Sequence, residues 1–205
     1  MITHGRAFTN LAHWIAPSVA ALCLLGCSKS DPVSDQNPLC AGESGVGIRV
    51  EGRAQPIDVC VSDTAVDALL TASDHYDVSA QLALDDDSIV QLRMVFTRRA
   101  DAPVTLRLVN SITEATSDPG TAYVFYEEAP SGGTPIQSSL ITGGTFRVTF
   151  NDNKVAAGTL ENITLDMTNV QNGNPAGDRK IAEGFFSVSI EAPVAAPPAP
   201  AVSSR

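Results

Sequence analysis

Basic residues are scarce in this chain. Thirteen lysines and arginines stand against 23 aspartates and glutamates, a formal net charge of −10 over 205 residues. That balance argues against nucleic acid or an anionic membrane surface as a partner, since both are bound through clustered cations. Aromatic residues are few (5%), and the single tryptophan is Trp14. Of the three histidines only His75 lies beyond the first 13 residues. There is no C-x-x-C pair and no Cys/His cluster, so no zinc site is expected. No G-x-S-x-G elbow occurs, and no repeat of fixed period, which removes the common serine-hydrolase signature and the propeller and solenoid architectures.

Long hydrophobic runs are also missing, with one short exception. Leu11 to Leu25 is apolar except for His13, Pro17 and Ser18, and Arg6 is the one formally charged side chain before Cys27. A bilayer-spanning helix needs about 20 predominantly apolar residues, so this stretch has instead the layout of a secretory signal, a thin basic start followed by a short apolar core. It ends in Leu24-Leu25-Gly26-Cys27. That tetrad resembles the lipobox of bacterial lipoproteins, with an aliphatic residue three before the cysteine and a small residue immediately before it. The resemblance implies a signal peptide over 1–26 and Cys27 as the lipidated first residue of the mature chain. Cys23 fits less well because Leu22 precedes it. A diacylglyceryl cysteine anchors stably, since each buried methylene contributes about 0.8 kcal/mol and two chains hold where one does not. Ser28 follows the cysteine; by the same resemblance an aspartate there would hold the protein in the inner membrane, so the outer membrane is the expected address.

Of the four cysteines, Cys23 leaves with the signal and Cys27 carries lipid, which leaves Cys40 and Cys60. In an exported, oxidising compartment that even remainder predicts one disulfide, contributing about 3 kcal/mol through closure of its loop. Ser28 to Pro38 is polar, holds Pro32 and Pro38, and is expected to be a flexible spacer, so that 27–39 forms lipidated cysteine plus tether, reaching roughly 35–40 Å when extended. At the other end, the Pro/Ala-rich residues 192–205 are expected to be a disordered tail.

Between these ends, over 40–191, the dominant signal is alternation with period two, the mark of strands with one buried face. Val46 to Glu51 and Pro56 to Val61 form a hairpin around Gly52-Arg53-Ala54. Ala65 to Leu70 is assigned to a strand, with a short helix as the alternative. Tyr76 to Leu84 and Ser88 to Thr97 form a second hairpin with Val78, Ala80, Leu82, Leu84 and then Val90, Leu92, Met94, Phe96 inward. Val104 to Val109 follows, then an Asp118-Pro119-Gly120 turn and Thr121 to Glu128 with Ala122, Val124 and Tyr126 inward. The last set is Gly144 to Phe150 (Phe146, Val148, Phe150 inward), Val155 to Met167 (Ile163, Leu165, Met167) and Ile181 to Ile190 (Phe186, Val188, Ile190). About ten short strands with turns every 8–15 residues predict a single-domain, all-β antiparallel β-sandwich, a closed barrel being the alternative.

Gly144-x-Phe146-x-Val148, the Gly158-Thr159-Leu160 stretch and Ile181-x-x-Gly184-x-Phe186-x-Val188, with Val50-Glu51-Gly52 and Ala122-Tyr123 earlier, are similar to the strand signatures of a family of small bacterial outer-membrane-type lipoproteins. The resemblance spans most of Val46 to Ile190. It implies a β-sandwich and an envelope address, and no catalytic residues or cofactor.

Several residues deserve weighing for chemistry. His75, between Asp74 and Asp77, reads as a surface turn residue rather than a catalytic base. Asp85-Asp86-Asp87 and Asn151-Asp152-Asn153 offer calcium-type oxygens, but lack the spaced calcium-loop pattern and suit hairpin turns. The sequon Asn162-Ile163-Thr164 lies on a strand and reads as coincidence. Tyr123, Phe125 and Phe185 are out of phase with the core, and mark either an exposed aromatic patch or a second buried face. No metal, cofactor or catalytic residue is assigned. The expectation is a lipid-anchored envelope module with an envelope protein or glycan partner and no nucleic acid. An acid-residue hydrolase, marked by two carboxylates converging in a pocket, and a calcium-stabilised adhesion module are the alternatives.

Overall fold

The computed structural model describes residues 38–40, 43–71, 73–84 and 87–191. The signal, Cys27, most of the spacer, Asp85, Asp86 and the tail 192–205 lie outside the described residues. Ten strands are present in chain order: β1 (Gly45–Glu51), β2 (Ile57–Ser62), β3 (Val66–Leu70), β4 (His75–Ala83), β5 (Ile89–Thr97), β6 (Val104–Val109), β7 (Thr121–Ala129), β8 (Ile136–Asn151), β9 (Val155–Asn169) and β10 (Pro175–Ser189). One short helix, α1 (Ile112–Ser117), interrupts them. The domain is all-β, as expected, and no helix among the described residues is long and apolar enough to cross a membrane.

The strands share a single hydrogen-bonded sheet in the order β2-β1-β10-β9-β8-β6-β7-β5-β4-β3. Four rings from distant strands touch: Phe96 of β5 lies 5.2 Å from Tyr76 of β4, 5.2 Å from Phe146 of β8 and 5.5 Å from Phe186 of β10. Contact between β5 and β10, five places apart in the order, requires the sheet to roll so that its two halves face each other. The two ends of the sheet meet as well. A three-residue 3-10 turn, Asp63–Ala65, carries β2 directly into β3, and the Glu191 N–H donates to the Ala68 carbonyl (2.9 Å). The period-two residues converge inside this roll on one continuous apolar core.

Among the described strands every pairing is antiparallel except that of β6 with β7, where Arg107, Leu108 and Val109 run parallel to Thr121, Ala122 and Tyr123; Glu191 adds an isolated parallel bridge to Leu69. Parallel neighbours need a crossover, and α1 supplies it. Ser111 caps it, its Oγ accepting from the Thr113 N–H (3.2 Å), and Ala115 is its one buried side chain. Ser111-Ile112-Thr113-Glu114 is a capping-box pattern; over six residues it leaves too little periodicity to stand out against the strands.

The last three strands are long, not short: β8, β9 and β10 contain 16, 15 and 15 residues. Their alternation changes phase midway: β9 is close to the expected Val155 to Met167, whereas β8 and β10 begin well before the expected Gly144 and Ile181, in stretches that read in sequence as loops. On β9 the buried set shifts from Ala156, Gly158 and Leu160 to Ile163, Leu165 and Met167, with Asn162 at φ 51 between them. Gly144 of β8 faces this irregularity at φ 116, and a Cβ there would come within 2.5 Å of the Ile163 Cα. Such bulges bend strands and raise their twist. A second bulge, between Val148 and Phe150, turns Phe150 outward to 43% exposure, against its expected place in the core.

Cys40, on a 3-10 turn before β1, is bonded to Cys60 of β2 with Cα atoms 5.4 Å apart, which pins the first hairpin to the segment entering it. Gly158 is needed for close approach: a Cβ there would stand 2.6 Å from the Phe186 ring.

Candidate functional site

The phase change that bends β9 and β10 leaves an open cleft of about 390 Å³ on the outer face of the sheet. Strand register determines what lines it. One rung runs Asp58 (β2), Arg49 (β1), Glu183 (β10), Glu161 (β9), Thr145 (β8). The next runs Cys60, Gly47, Phe185, Thr159, Arg147 over the same strands. Phe185 thus stands on the outer face opposite a glycine, with no β1 side chain against it. Asn162 and Glu51 complete the rim.

The cations bordering the cleft, Arg49 and Lys180, are engaged, whereas Arg147, one strand beyond Thr159 and not part of the lining, is exposed and pairs with no carboxylate among the described residues. Arg49 makes a two-pronged bond to Asp58 (Nε to Oδ1 2.8 Å, Nη2 to Oδ2 3.1 Å) and its Nη1 lies 3.6 Å from Glu183. Hydrogen bonding from Arg49 holds the Asp58 carboxyl below its usual range. Lys180 Nζ sits 3.8 Å from Glu51. The side chains of Glu161 and Asn162 are exposed and make no hydrogen bond or ion pair among the described residues. Glu161 is also directly opposite Glu183, a like-charge cross-strand pair that costs stability.

A second charged group is buried. Glu128 of β7 points inward, in phase with Ala122, Val124 and Tyr126, and is 6% exposed. Arg179 of β10 grips it with both prongs (Nε to Oε1 2.8 Å, Nη2 to Oε2 3.1 Å), and the Tyr126 hydroxyl donates to Oε1 at 2.9 Å. Arg53 Nη1 lies 4.0 Å from the same oxygen. Burial first, and the adjacent Glu128 second, push the Tyr126 hydroxyl pKa well upward. Arg179 also donates to the Gly52 carbonyl (2.9 Å), so this cluster ties β7, β10 and the β1–β2 turn together. Its role is structural, with every carboxylate oxygen engaged. In sequence only Glu128 carries a local signal, continuing the inward phase of Ala122, Val124 and Tyr126; Arg179 is in step with Ile181 but out of step with Phe186, Val188 and Ile190.

At the opposite end of the roll a polar recess of about 400 Å³ is lined by Asp74, Arg98, Arg99 and the Asn151-Asp152-Asn153 turn. Its oxygens are occupied by the chain itself. Asp152 Oδ1 accepts from the Lys154 and Val155 N–H groups (2.6 and 2.7 Å), Asn151 exchanges two bonds with the Arg99 backbone (2.8 Å each), and Asn153 accepts from Arg98. Two arginines line this recess, where a calcium site would present an open cage of oxygens. Among the described residues no cluster of three His, Cys, Asp or Glu side chains forms a metal cage. The Asp85-Asp86-Asp87 candidate falls mostly outside them.

His75 differs from its expected surface position. It opens β4 at 7% exposure, and its Nδ1, like the Oγ1 of its register partner Thr97, has no hydrogen-bond partner among the described residues. The neighbouring acids do not orient it: Asp74 pairs with Arg98 (2.9 Å) and Asp77 with Arg93 (2.9 and 2.6 Å). The three out-of-phase aromatics do not gather into one patch. Tyr123 packs with Val95, Val109 and Ala115 beneath α1, a small second buried face, while Phe185 lines the outer cleft four places along the sheet.

Compared with protein-family models, with curated proteins and with solved structures, the chain matches none.

Proposed function

We propose that this chain is a lipid-anchored, non-catalytic binding module of the cell envelope, its rolled sheet acting as the two facing layers of a sandwich and its outer cleft on β1, β9 and β10 as the binding site. One observation carries the binding role: Glu161, Asn162 and Phe185 stand in that cleft on rigid strands, and the two polar side chains have no partner of their own among the described residues. Sites built on strands hold their geometry better than sites on loops. The address rests on the Leu24-Leu25-Gly26-Cys27 lipobox and on Ser28, which favours the outer membrane, and on the likeness to small outer-membrane-type lipoproteins.

An acid-residue hydrolase needs two carboxylates in one cleft; of Glu51, Glu161 and Glu183 here, Glu161 and Glu183 are the two at directly opposed register positions. Binding is the better account. As register partners the two project side by side from one face rather than flanking a bond from opposite sides. Glu161 is exposed, without the apolar enclosure that keeps a general acid protonated.

Chemical cross-linking in intact cells, followed by purification and mass spectrometry, tests the assignment together with acyl labelling. Wild-type chain is expected to carry label and to recover an envelope component. Cys27→Ser is expected to lose the label and remain an uncut precursor; normal labelling of that variant would overturn the anchor.

A further inference from the structure

We infer that the outer cleft takes a neutral saccharide, with the Phe185 ring as the stacking surface and Glu161 and Asn162 as the hydroxyl-binding groups. The inference rests on the binding-module proposal and deepens it.

Size comes first. About 390 Å³ is within the range of small-molecule clefts, roughly 300–1,000 Å³, yet this one is open and polar-lined where most such sites are enclosed and apolar. An open polar groove with one aromatic ring suits a ligand whose edges are hydroxyls and whose face is C–H. Phe185 is half-buried, held on its strand between Gly47 and Thr159, so it offers a ring face at little entropic cost. The Glu161 carboxylate accepts from hydroxyls, and the Asn162 amide both donates and accepts. Both are unsatisfied by the chain, and Asn162 is fixed by its φ of 51 in a backbone state uncommon for a side-chain-bearing residue.

Charge narrows the class. An anionic ligand would meet Glu51, Glu161 and Glu183, while Arg49 is already spent on Asp58, Lys180 faces Glu51, and the unpaired Arg147 stands one strand beyond Thr159, outside the residues that line the cleft. A purely cationic ligand would use the carboxylates and the Asn162 carbonyl oxygen but leave the Asn162 NH₂ donors without a role. Glu183, moreover, already has Arg49 at 3.6 Å. A neutral polyhydroxylated ligand uses all three groups.

The test is a glycan array carrying neutral, sialylated and sulfated saccharides, probed with the full chain purified in mild detergent, with hexalysine titrated separately by calorimetry. Binding to neutral saccharides and not to acidic ones is expected. Phe185→Ala should weaken it roughly tenfold, the loss of about 1.4 kcal/mol of stacking. Asn162→Gly, which keeps the positive φ and removes only the amide, should weaken it several-fold with an unchanged melting temperature, which guards against a folding defect in the first variant. Glu161→Gln retains an acceptor and should stay within roughly threefold. No saccharide bound, binding only to acidic ones, or binding indifferent to Phe185→Ala and Asn162→Gly would overturn the inference. Hexalysine binding abolished by Glu161→Gln would also overturn it, while leaving the cleft a binding site and the module proposal intact.

Discussion

Glu128 and Glu161 are both glutamates on strands of one sheet, and they end in opposite situations. Glu128 is inside the roll, gripped by Arg179 and Tyr126. Glu161 is outside, facing another glutamate, with no partner among the described residues. The buried charge is affordable only because each of its oxygens is met within the chain, and so it has nothing left to offer a ligand. The exposed one costs a little stability and keeps its capacity. Comparison of the two separates acidic residues that hold the fold from those available for binding, a distinction that net charge alone does not make.

Breaking the inner cluster should give the largest effect. Arg179→Ala leaves Glu128 buried with only the Tyr126 hydroxyl and Arg53 at 4.0 Å against it, and should destabilise the domain by about 3 kcal/mol in urea unfolding. Replacing both partners, Arg179→Met with Glu128→Leu, should recover most of that loss. Similar losses for the single and double variants would mean that Glu128 is not the stranded charge.

Next comes the covalent pin of the β1–β2 hairpin, which forms one wall of the outer cleft. Cys40→Ser with Cys60→Ser should cost about 3 kcal/mol by loss of loop closure. In the wild type, alkylation followed by intact mass should show these two thiols only after reduction.

A smaller effect separates buried from exposed groups by pH. Burial pushes the Tyr76 hydroxyl from 10.0 up to about 12, and the hydroxyl donates to the Asp152 carbonyl at 2.5 Å. The unfolded chain loses this proton near pH 10, while the fold keeps it. The stability is therefore fully present below pH 10 and is lost as pH rises towards 12, by about 1.4 kcal/mol per pH unit for this group. Tyr76→Phe should remove that share of the alkaline slope, and an unchanged slope would refute the assignment.

The smallest change belongs to the outer pair. Glu161→Gln relieves the repulsion from Glu183 and should raise stability by no more than about 1 kcal/mol. A substantial loss instead would show that Glu161 holds the fold after all, and would collapse the comparison with Glu128.

The β4–β5 hairpin was legible because nothing interrupts its alternation: Val78, Ala80, Val90, Leu92, Met94 and Phe96 are all buried where period two puts them. The first hairpin and the Cys40–Cys60 bridge were legible for equally local reasons. β9 was legible over most of its length, but the first halves of β8 and β10 were not, since a bulge resets the phase and a reset looks like an ending when only one strand is in view. Of the cleft, Phe185 could be noticed as out of phase. Its meeting with Glu161 and Asn162 depends on which strands are neighbours, and β1 beside β10 is a choice made by the rolled sheet rather than by any local pattern. Glu128 and Arg179 are distant in sequence and become partners for the same reason.

The most direct test of the outer cleft is site-specific photo-cross-linking in intact cells, with the reactive side chain placed at Thr159 within the cleft and, as the comparison, at the exposed hairpin residue Val170. A discrete adduct from Thr159 that is absent from Val170, and that fades when Phe185→Ala is introduced, is the predicted result. Equal labelling from both positions, or none from Thr159, would contradict the cleft as the place where this protein meets its ligand.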